Sequence, residues 1–190
     1  MSHAIYQTSA IILKTKNMRE SNKLLVLYTE KFGLVYCVTQ SVRELKSKMR
    51  YHTNRYSLVT VDLVQGRDIW RMTGIHENVS SLGFAGTLWY ELLSNFTQLI
   101  NRLCSGEESS HEIWQNIEYL YKNHHDINES NHVYYEIIFT IRLLQNLGYW
   151  DGKEDFLQGF DYRQDCFDSI ENNKIHLIGR INQRIHDTQL

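Results

Sequence analysis

The sequence contains no proline among its 190 residues and only three cysteines, which lie far apart at Cys37, Cys104 and Cys166. An odd, scattered set of cysteines provides no disulfide framework and is typical of a reducing compartment, so we expect a cytoplasmic protein. No apolar run approaches the roughly 20 residues that a membrane helix requires. The amino terminus also lacks the basic stretch and the small-residue cleavage site of a signal peptide. The composition predicts a soluble globular protein with no membrane partner.

Sequence motifs that would indicate an enzyme are also missing. Neither GxxxxGKS/T nor GxGxxG occurs, so no nucleotide site is indicated, and there is no nucleophile elbow. The segment HEIWQ at His111 has the first two residues of a zinc-protease helix but lacks the second histidine. Cys166 and His176 would form at most half of a metal site. We therefore expect no catalysis, no cofactor and no bound metal.

Charge is distributed unevenly along the chain, although the net charge is only −2. Residues 1–78 hold 12 Lys and Arg against 6 Asp and Glu, whereas residues 79–190 hold 8 against 16. Such asymmetry between the halves favours nucleic-acid binding by the basic half.

Much of the positive charge lies in one stretch, SVRELKSKMRYHTNRYSLVTVDL, from Ser41 to Leu63. Cations in such a stretch can contact phosphates, and aromatic residues among them can stack on bases. The other cations of this half, including Lys14, Lys16 and Arg19, would extend the positive track. The candidate DNA-binding residues are Lys23, Arg43, Lys46, Lys48, Arg50, Tyr51, Arg67 and Arg71. The alternative is a flexible hairpin whose charges are only solvated.

The first half has the period of β-strands. The five runs AIILKTK, KLLVLYTE, LVYCVTQS, YSLVTVDLVQG and IWRMTGIHE are separated by turns, and Val59, Val61 and Leu63 share one face of the fourth. Five short strands with tight turns predict a small closed barrel or a sandwich. A long exposed connection, over about residues 43–55, separates strands three and four.

From about residue 85 the period becomes helical. Apolar residues at i, i+3, i+4 and i+7 form one face, namely Trp89, Leu92, Leu93, Phe96, Leu99, Ile100 and Leu103. HEIWQNIEYLYKN and HVYYEIIFTIRLLQNLGYW predict two further helices, the second ending at Gly148. After Gly148 the pattern weakens, and we interpret NNKIHLI as a strand or hairpin arm and the last dozen residues as a short helix. These patterns predict an α+β protein.

Several motifs resemble the bacterial RecO family of recombination mediators. The stretch AIILKTKNMRESNKLLVLYTEKFGLVYCVTQSVRELKSKMR is similar to the family's opening in an apolar strand, a turn and a basic loop. The positions that match are Glu20, Ser21, Lys23, Leu24, Thr29, Glu30 and Gly33. RYSLVTVDLVQGRDIWRM resembles the next two strands, and RLLQNLGYW resembles the end of the family's central helix. The order and spacing of these motifs over residues 4–150 carry the resemblance.

The resemblance implies a five-stranded OB-fold barrel at residues 1–80 that binds nucleic acid. It implies a helical domain at residues 81–190 with a short, degenerate C-terminal extension. It also implies binding of single- and double-stranded DNA, annealing of complementary strands, and loading of recombinase onto DNA coated with single-strand-binding protein. The implied protein partners are a RecR-like protein and the acidic C-terminal tail of the single-strand-binding protein. Arg142 is the candidate partner-binding residue, because in the family this helix lines the tail pocket; the alternative is that Arg142 makes a surface or intramolecular ion pair.

The chain departs from the family pattern at three points. Arg55 stands where the family usually has a proline before strand four. Many members carry a four-cysteine zinc site after the LGY helix end, but this chain has only Cys166 there, so we expect no zinc. The chain is also shorter after Tyr149. A rival hypothesis is that the OB-type module binds a protein partner and that the basic stretch is only solvated; salt-sensitive DNA binding would distinguish the two.

Overall fold

In the part of the chain that the structure describes, five strands precede four α-helices, which confirms the predicted α+β fold class. The computed structural model describes residues 4–44, 46–152, 154–157, 159, 162 and 164–188. The strands are β1 (Ile5–Met18), β2 (Asn22–Thr29), β3 (Gly33–Thr39), β4 (Leu58–Val64) and β5 (Trp70–Val79). The helices are α1 (Leu88–Leu103), α2 (His111–Lys122), α3 (His132–Asn146) and α4 (Gln164–Asp187). The chain divides into two compact units, residues 1–85 with 104–111, and residues 86–103 with 112–190.

The five strands close into a barrel with the neighbour order β1-β2-β3-β5-β4, and β4 returns to pair with β1. Every pair is antiparallel except β3 with β5, which is parallel. Closure gives each strand two neighbours, which limits edge-to-edge aggregation, although β3 and β5 pair at only three positions. The structure therefore selects the barrel over the sandwich.

Alternation of apolar residues builds the interior of the barrel. Val59, Val61 and Leu63 are fully buried on one face of β4, as their spacing predicts. A bulge in β1 between Ile12 and Lys14 shifts the register with β2. A bulge exchanges the faces of the residues that follow it, so Lys14 and the alternate residues after it face outward.

The segment at residues 104–111 packs against the barrel although it lies between two helices in the sequence. Glu107 accepts a hydrogen bond from the indole of Trp70 at 2.7 Å. The amide of Ser110 donates to the hydroxyl of Tyr28 at 3.3 Å. Gly33 has φ +64°, and a Cβ there would collide with the backbone carbonyl of Glu108. The close approach and the positive φ both require glycine at this position.

The helical unit packs α3 against α1 and α4. Five of the seven residues of the predicted α1 face are buried, while Leu99 and Leu103 are half-buried. The α3 helix ends as predicted at Gly148, which has φ +78°. The amides of Gly148 and Tyr149 donate to the carbonyls of Gln145 and Leu144, which is the Schellman arrangement.

The interpretation of NNKIHLI as a strand or hairpin arm is wrong, because these residues lie inside the 24-residue helix α4. The expected short C-terminal helix is the end of this same helix. Its buried residues Phe167, Ile170, Leu177 and Ile181 recur at helical spacing but are widely separated. Ile175, which is 91% exposed, completes an apparent alternation with Leu177 that resembles a strand. Among the helices that the structure describes, none is long and apolar enough to cross a membrane.

Candidate nucleic-acid interface

The basic loop, defined here as residues 40–57, joins β3 to β4 and is anchored at both ends. Val42 is fully buried near its start, and Tyr56 is buried near its end. The backbone amide of Tyr56 donates to the carbonyl of Ile12 at 2.7 Å, where β1 carries its bulge. The loop is therefore held on the barrel by its ends, in contrast to a freely solvated hairpin.

The first part of the basic loop is docked on the turn between β1 and β2. The backbone amide of Arg43 donates to the carbonyl of Ser21 at 3.0 Å, and its guanidinium donates to the carbonyl of Arg19 at 3.1 Å. The amide of Ser41 donates to the side-chain oxygen of Asn22 at 3.1 Å. These bonds bring Arg43 and Arg19, both exposed, to the same end of the barrel.

The middle of the basic loop is a 3₁₀ turn, Lys48–His52, that presents its side chains to solvent. Lys48, Arg50 and Tyr51 are all exposed, and the ring of Tyr51 is 66% exposed. The guanidinium carbon of Arg50 lies 5.8 Å from the centre of that ring. Lys46, just before the turn, is exposed as well. Cations beside an exposed aromatic ring suit phosphate contact together with base stacking.

Lys23 lies beneath this turn, on β2. Its Nζ donates to the hydroxyl of Thr53 at 2.7 Å. The pKa of Lys23 is lowered, first by burial and then by the charges of Arg43 and Arg50. Three of the predicted DNA-binding cations are therefore close enough to influence one another.

A second group of candidates lies on the outer face of the barrel. The strand registers align Lys16, Leu24, Val38 and Arg71 in one row across β1, β2, β3 and β5. Lys16 and Arg71 are exposed at the two ends of this row. Tyr36, two residues before Val38 on β3, is 50% exposed. Tyr36 is not among the candidate residues predicted from the sequence. Its alternation with the apolar Val35 and Cys37, which are buried, could have indicated that it faces outward.

Arg67 is exposed in the turn between β4 and β5 and is set apart from the basic loop. The strands β3 and β5 are parallel, so the turn that precedes β5 and the loop that follows β3 leave the pair in opposite directions. Of the eight predicted DNA-binding residues, six belong to the basic loop or lie beneath it. Arg71 lies on the outer face, and Arg67 lies apart from both groups.

Arg142 lies on α3 in the helical unit and is half-buried. Its guanidinium donates to the carbonyl of Leu157 at 2.9 Å and to that of Gly159, and it lies 5.5 Å from the ring centre of Tyr162. Burial is the main cause that lowers its pKa. Together with Asn116 and four other residues it lines a pocket of about 290 Å³. Much of its hydrogen bonding therefore holds the segment after α3.

Comparison with known proteins agrees with this architecture. The family described as "Recombination protein O N terminal" matches residues 1–76, which contain the basic loop and most of the barrel. The protein named DNA repair protein RecO from Clostridium novyi is 27% identical over 184 residues, and that from Azobacteroides pseudotrichonymphae is 25% identical over 187 residues. The chain is therefore similar to RecO proteins over most of its length, and its residues 1–76 match the N-terminal domain of the RecO family. The barrel is the OB fold of that family.

The two alignments cover most of this chain but a smaller share of each relative's length. Each covers 92% of the chain, and they cover 65% of the Clostridium novyi protein and 74% of the Azobacteroides one. A third DNA repair protein RecO, from Dehalococcoides mccartyi, is 29% identical over 105 residues, which is 55% of the chain and 42% of that protein. The chain thus spans about two thirds of the length of the Clostridium novyi relative.

The sequence predicts no zinc site in this chain. Within the described ranges, no group of three or more His, Cys, Asp or Glu is placed to hold a metal ion. Cys37, Cys104 and Cys166 are free thiols, and Cys166 donates weakly to the carbonyl of Phe156 at 3.7 Å. Burial raises the pKa of Cys37 to about 12 and that of Cys104 to about 11. Thiols with such raised pKa values are poor metal ligands and poor nucleophiles.

Proposed function

We propose that this chain acts in DNA repair by binding the DNA backbone through its basic loop. The observation that supports this function is the 3₁₀ turn at Lys48–His52, which exposes Lys48, Arg50 and Tyr51 together and contains no buried residue. A short turn on an anchored loop can follow a phosphate backbone, because its cations are already gathered and oriented. The exposed Tyr51 ring adds a surface on which a base can stack.

The outer face of the barrel offers a continuation of this binding surface. Strand faces and adjoining loops are the usual ligand-binding surfaces of OB folds. Lys16, Tyr36 and Arg71 supply two cations and an aromatic ring on the outer face. A single strand that contacts the loop and this face would meet about four to six cations. Such a complex should weaken with salt, with a slope of log K against log salt of roughly −3 to −4.

The finer activity we propose is that of a recombination mediator without catalytic chemistry. The chain would anneal complementary strands and help load recombinase onto DNA coated with single-strand-binding protein. The match of residues 1–76 to the RecO N-terminal family and the relatives' name, DNA repair protein RecO, support this role. Annealing of complementary oligonucleotides, with and without single-strand-binding protein, tests it directly. Annealing no faster than in a protein-free control would contradict the mediator role.

For the partners, we propose that DNA avoids the helical half and that proteins dock there. Residues 79–190 hold 8 Lys and Arg against 16 Asp and Glu, so this half repels phosphate. We place the acidic tail of the single-strand-binding protein in the pocket beside Arg142, because this guanidinium can pair with a carboxylate; Glu112 lines the same pocket and would weaken the attraction. A RecR-like protein is the second proposed partner.

The experiment that tests DNA binding removes three cations of the basic loop together. Lys46, Lys48 and Arg50 are changed to Ala, and affinity for single strands is measured at several salt concentrations. Since phosphate contacts carry no base information, affinity should fall equally for all sequences. The slope should become less steep by about two, since each lost contact contributes about 0.7.

A matched control removes three positive charges from the helical unit, at Arg102, Lys122 and Lys174. This control has the same net charge as the loop variant, so it reports the effect of overall charge. We expect its salt slope to match that of the wild type. Equal slopes and intercepts for the wild type and the loop variant would overturn the proposed DNA site and favour a protein-binding OB module.

A further inference from the structure

The 3₁₀ turn at Lys48–His52 contacts β5 but is only weakly fixed by its own packing. None of its five residues is buried, and short 3₁₀ turns have weak internal hydrogen bonds. His52 reaches Glu77 on β5, but their 3.4 Å separation is long and the side chain of His52 is 37% exposed. The exposed Lys48, Arg50 and Tyr51 therefore depend on contacts at the end of the turn for a defined position.

Thr53, at the C-terminal end of the turn, connects it to the barrel. Thr53 is only 2% exposed, and its hydroxyl donates to the carbonyl of Arg50 at 3.3 Å. The same hydroxyl accepts the 2.7 Å hydrogen bond from Lys23. The side-chain amide of Asn54 also donates to the carbonyl of Tyr51 at 2.8 Å. One buried hydroxyl thus joins β2 to the backbone of the turn that carries the exposed cations.

The position of Lys23 on β2 explains why it reaches Thr53. Lys23 pairs in register with Thr39 on β3, and alternation puts its side chain on the same face as the buried Leu25 and Leu27. Its chain therefore extends from the end of the barrel interior to the underside of the loop. By contrast, Arg43 and Arg50 are exposed to solvent.

We propose that Lys23 and Thr53 form a positioning pair, which orders the 3₁₀ turn before DNA arrives, and that Lys23 makes no phosphate contact itself. This inference rests on the proposed DNA-binding function and revises the role predicted for Lys23 from the sequence. Burial lowers the pKa of Lys23, as expected for an ammonium group partly withdrawn from water. Ordering the turn in advance reduces the conformational entropy lost on binding.

The test is a double-mutant cycle of Thr53→Val and Lys23→Met. Valine keeps the shape of threonine and changes no charge, so it removes only the shared hydroxyl. Each single variant should weaken DNA binding about five- to tenfold, comparable to the loss of one ordinary hydrogen bond. The double variant should bind like Thr53→Val alone, because that change already removes the bond to Lys23 together with the bond to Arg50. The salt slope should stay at the wild-type value in all three variants.

Hydrogen exchange of the loop amides in the DNA-free protein provides a second readout. In both single variants, the backbone amides of residues 47–53 should exchange faster than in the wild type. The exchange of the β4 amides should stay unchanged, which would show that the barrel remains folded. Lys122→Met, which loses one positive charge in the helical unit, is the control for charge. It should leave both the exchange of the loop and the affinity for DNA unchanged.

Three results would overturn the positioning pair. The first is a salt slope that becomes less steep by about 0.7 in Lys23→Met. The second is wild-type DNA affinity in Thr53→Val. The third is a loss of binding free energy in the double variant that equals the sum of the two single losses. If the wild type itself bound no DNA, the proposed function would fail. Loop exchange would then still decide whether the Lys23–Thr53 bond orders the turn, and unchanged exchange would refute it.

Discussion

Replacing Gly33 with alanine should destabilise the barrel more than the same substitution at a positive-φ glycine whose added Cβ would meet open space. Gly33 opens β3 with φ +64°, and the added methyl group would overlap the backbone carbonyl of Glu108. A backbone carbonyl cannot rotate away as a flexible side chain can. The segment at residues 104–111 would have to move off the barrel to make room.

The expected cost follows from the contacts that this movement disturbs. A left-handed backbone conformation costs a non-glycine residue about 1–2 kcal/mol. Moving the segment also strains the hydrogen bonds of Glu107 to Trp70 and of Ser110 to Tyr28, each worth about 1 kcal/mol net. We therefore expect Gly33→Ala to lower the free energy of unfolding by about 3–4 kcal/mol, a large fraction of a typical domain's stability.

Gly106→Ala is the matched control for this experiment. Gly106 lies in the same segment with φ +77°, but no atom lies within 4 Å of the position of its added Cβ. Gly106→Ala should therefore lower the free energy of unfolding only by the cost of the left-handed backbone conformation, about 1–2 kcal/mol. Urea unfolding followed by circular dichroism and tryptophan fluorescence gives both values. Equal losses for Gly33→Ala and Gly106→Ala would refute the close packing of Glu108 against the barrel.

Two further predictions concern the aromatic residues and Arg142. Tyr51→Ala should weaken single-strand binding by about 1–3 kcal/mol without changing the salt slope, and Tyr36→Ala should do the same if the DNA strand continues across the outer face. A Phe variant at each position should retain affinity. An Ala variant with wild-type affinity would show that this ring does not contact the DNA. Arg142→Glu should weaken binding of an acidic tail peptide and leave DNA binding intact, with Gln145→Ala as a control on the same pocket. Unchanged peptide binding in a folded Arg142→Glu variant would exclude Arg142 from the partner site.

Local patterns in the sequence predicted most of the secondary structure. Alternation predicted the five strands and the buried face of β4, and the spacing from Trp89 predicted the buried face of α1. Gly148 marked the end of α3, because a positive φ at a helix end favours glycine. The pattern was misleading in α4, where buried residues are sparse and Ile175 is exposed. A helix with a narrow apolar face gives a weak periodic signal.

The candidate site was only partly predictable for a different reason. Charge and composition pointed to the basic loop, because positive residues cluster there in the chain itself. The roles of single residues depend on neighbours that are distant in sequence. Lys23 and Thr53 are 30 residues apart and meet at 2.7 Å, so no local pattern could distinguish a phosphate ligand from an anchor. Tyr36 became a candidate binding residue only when the barrel placed its strand on the same outer face as Lys16 and Arg71.

The sequence by itself determined the class of fold and the location of positive charge, because periodicity, turns and net charge are local properties. Only the tertiary structure decided that the strands close into a barrel, since closure requires β4 to pair with β1 across more than 40 intervening residues. It also decided that segment 104–111 belongs with the barrel, through Gly33 and Trp70. These contacts join residues far apart in sequence, so they depend on the way the whole chain packs.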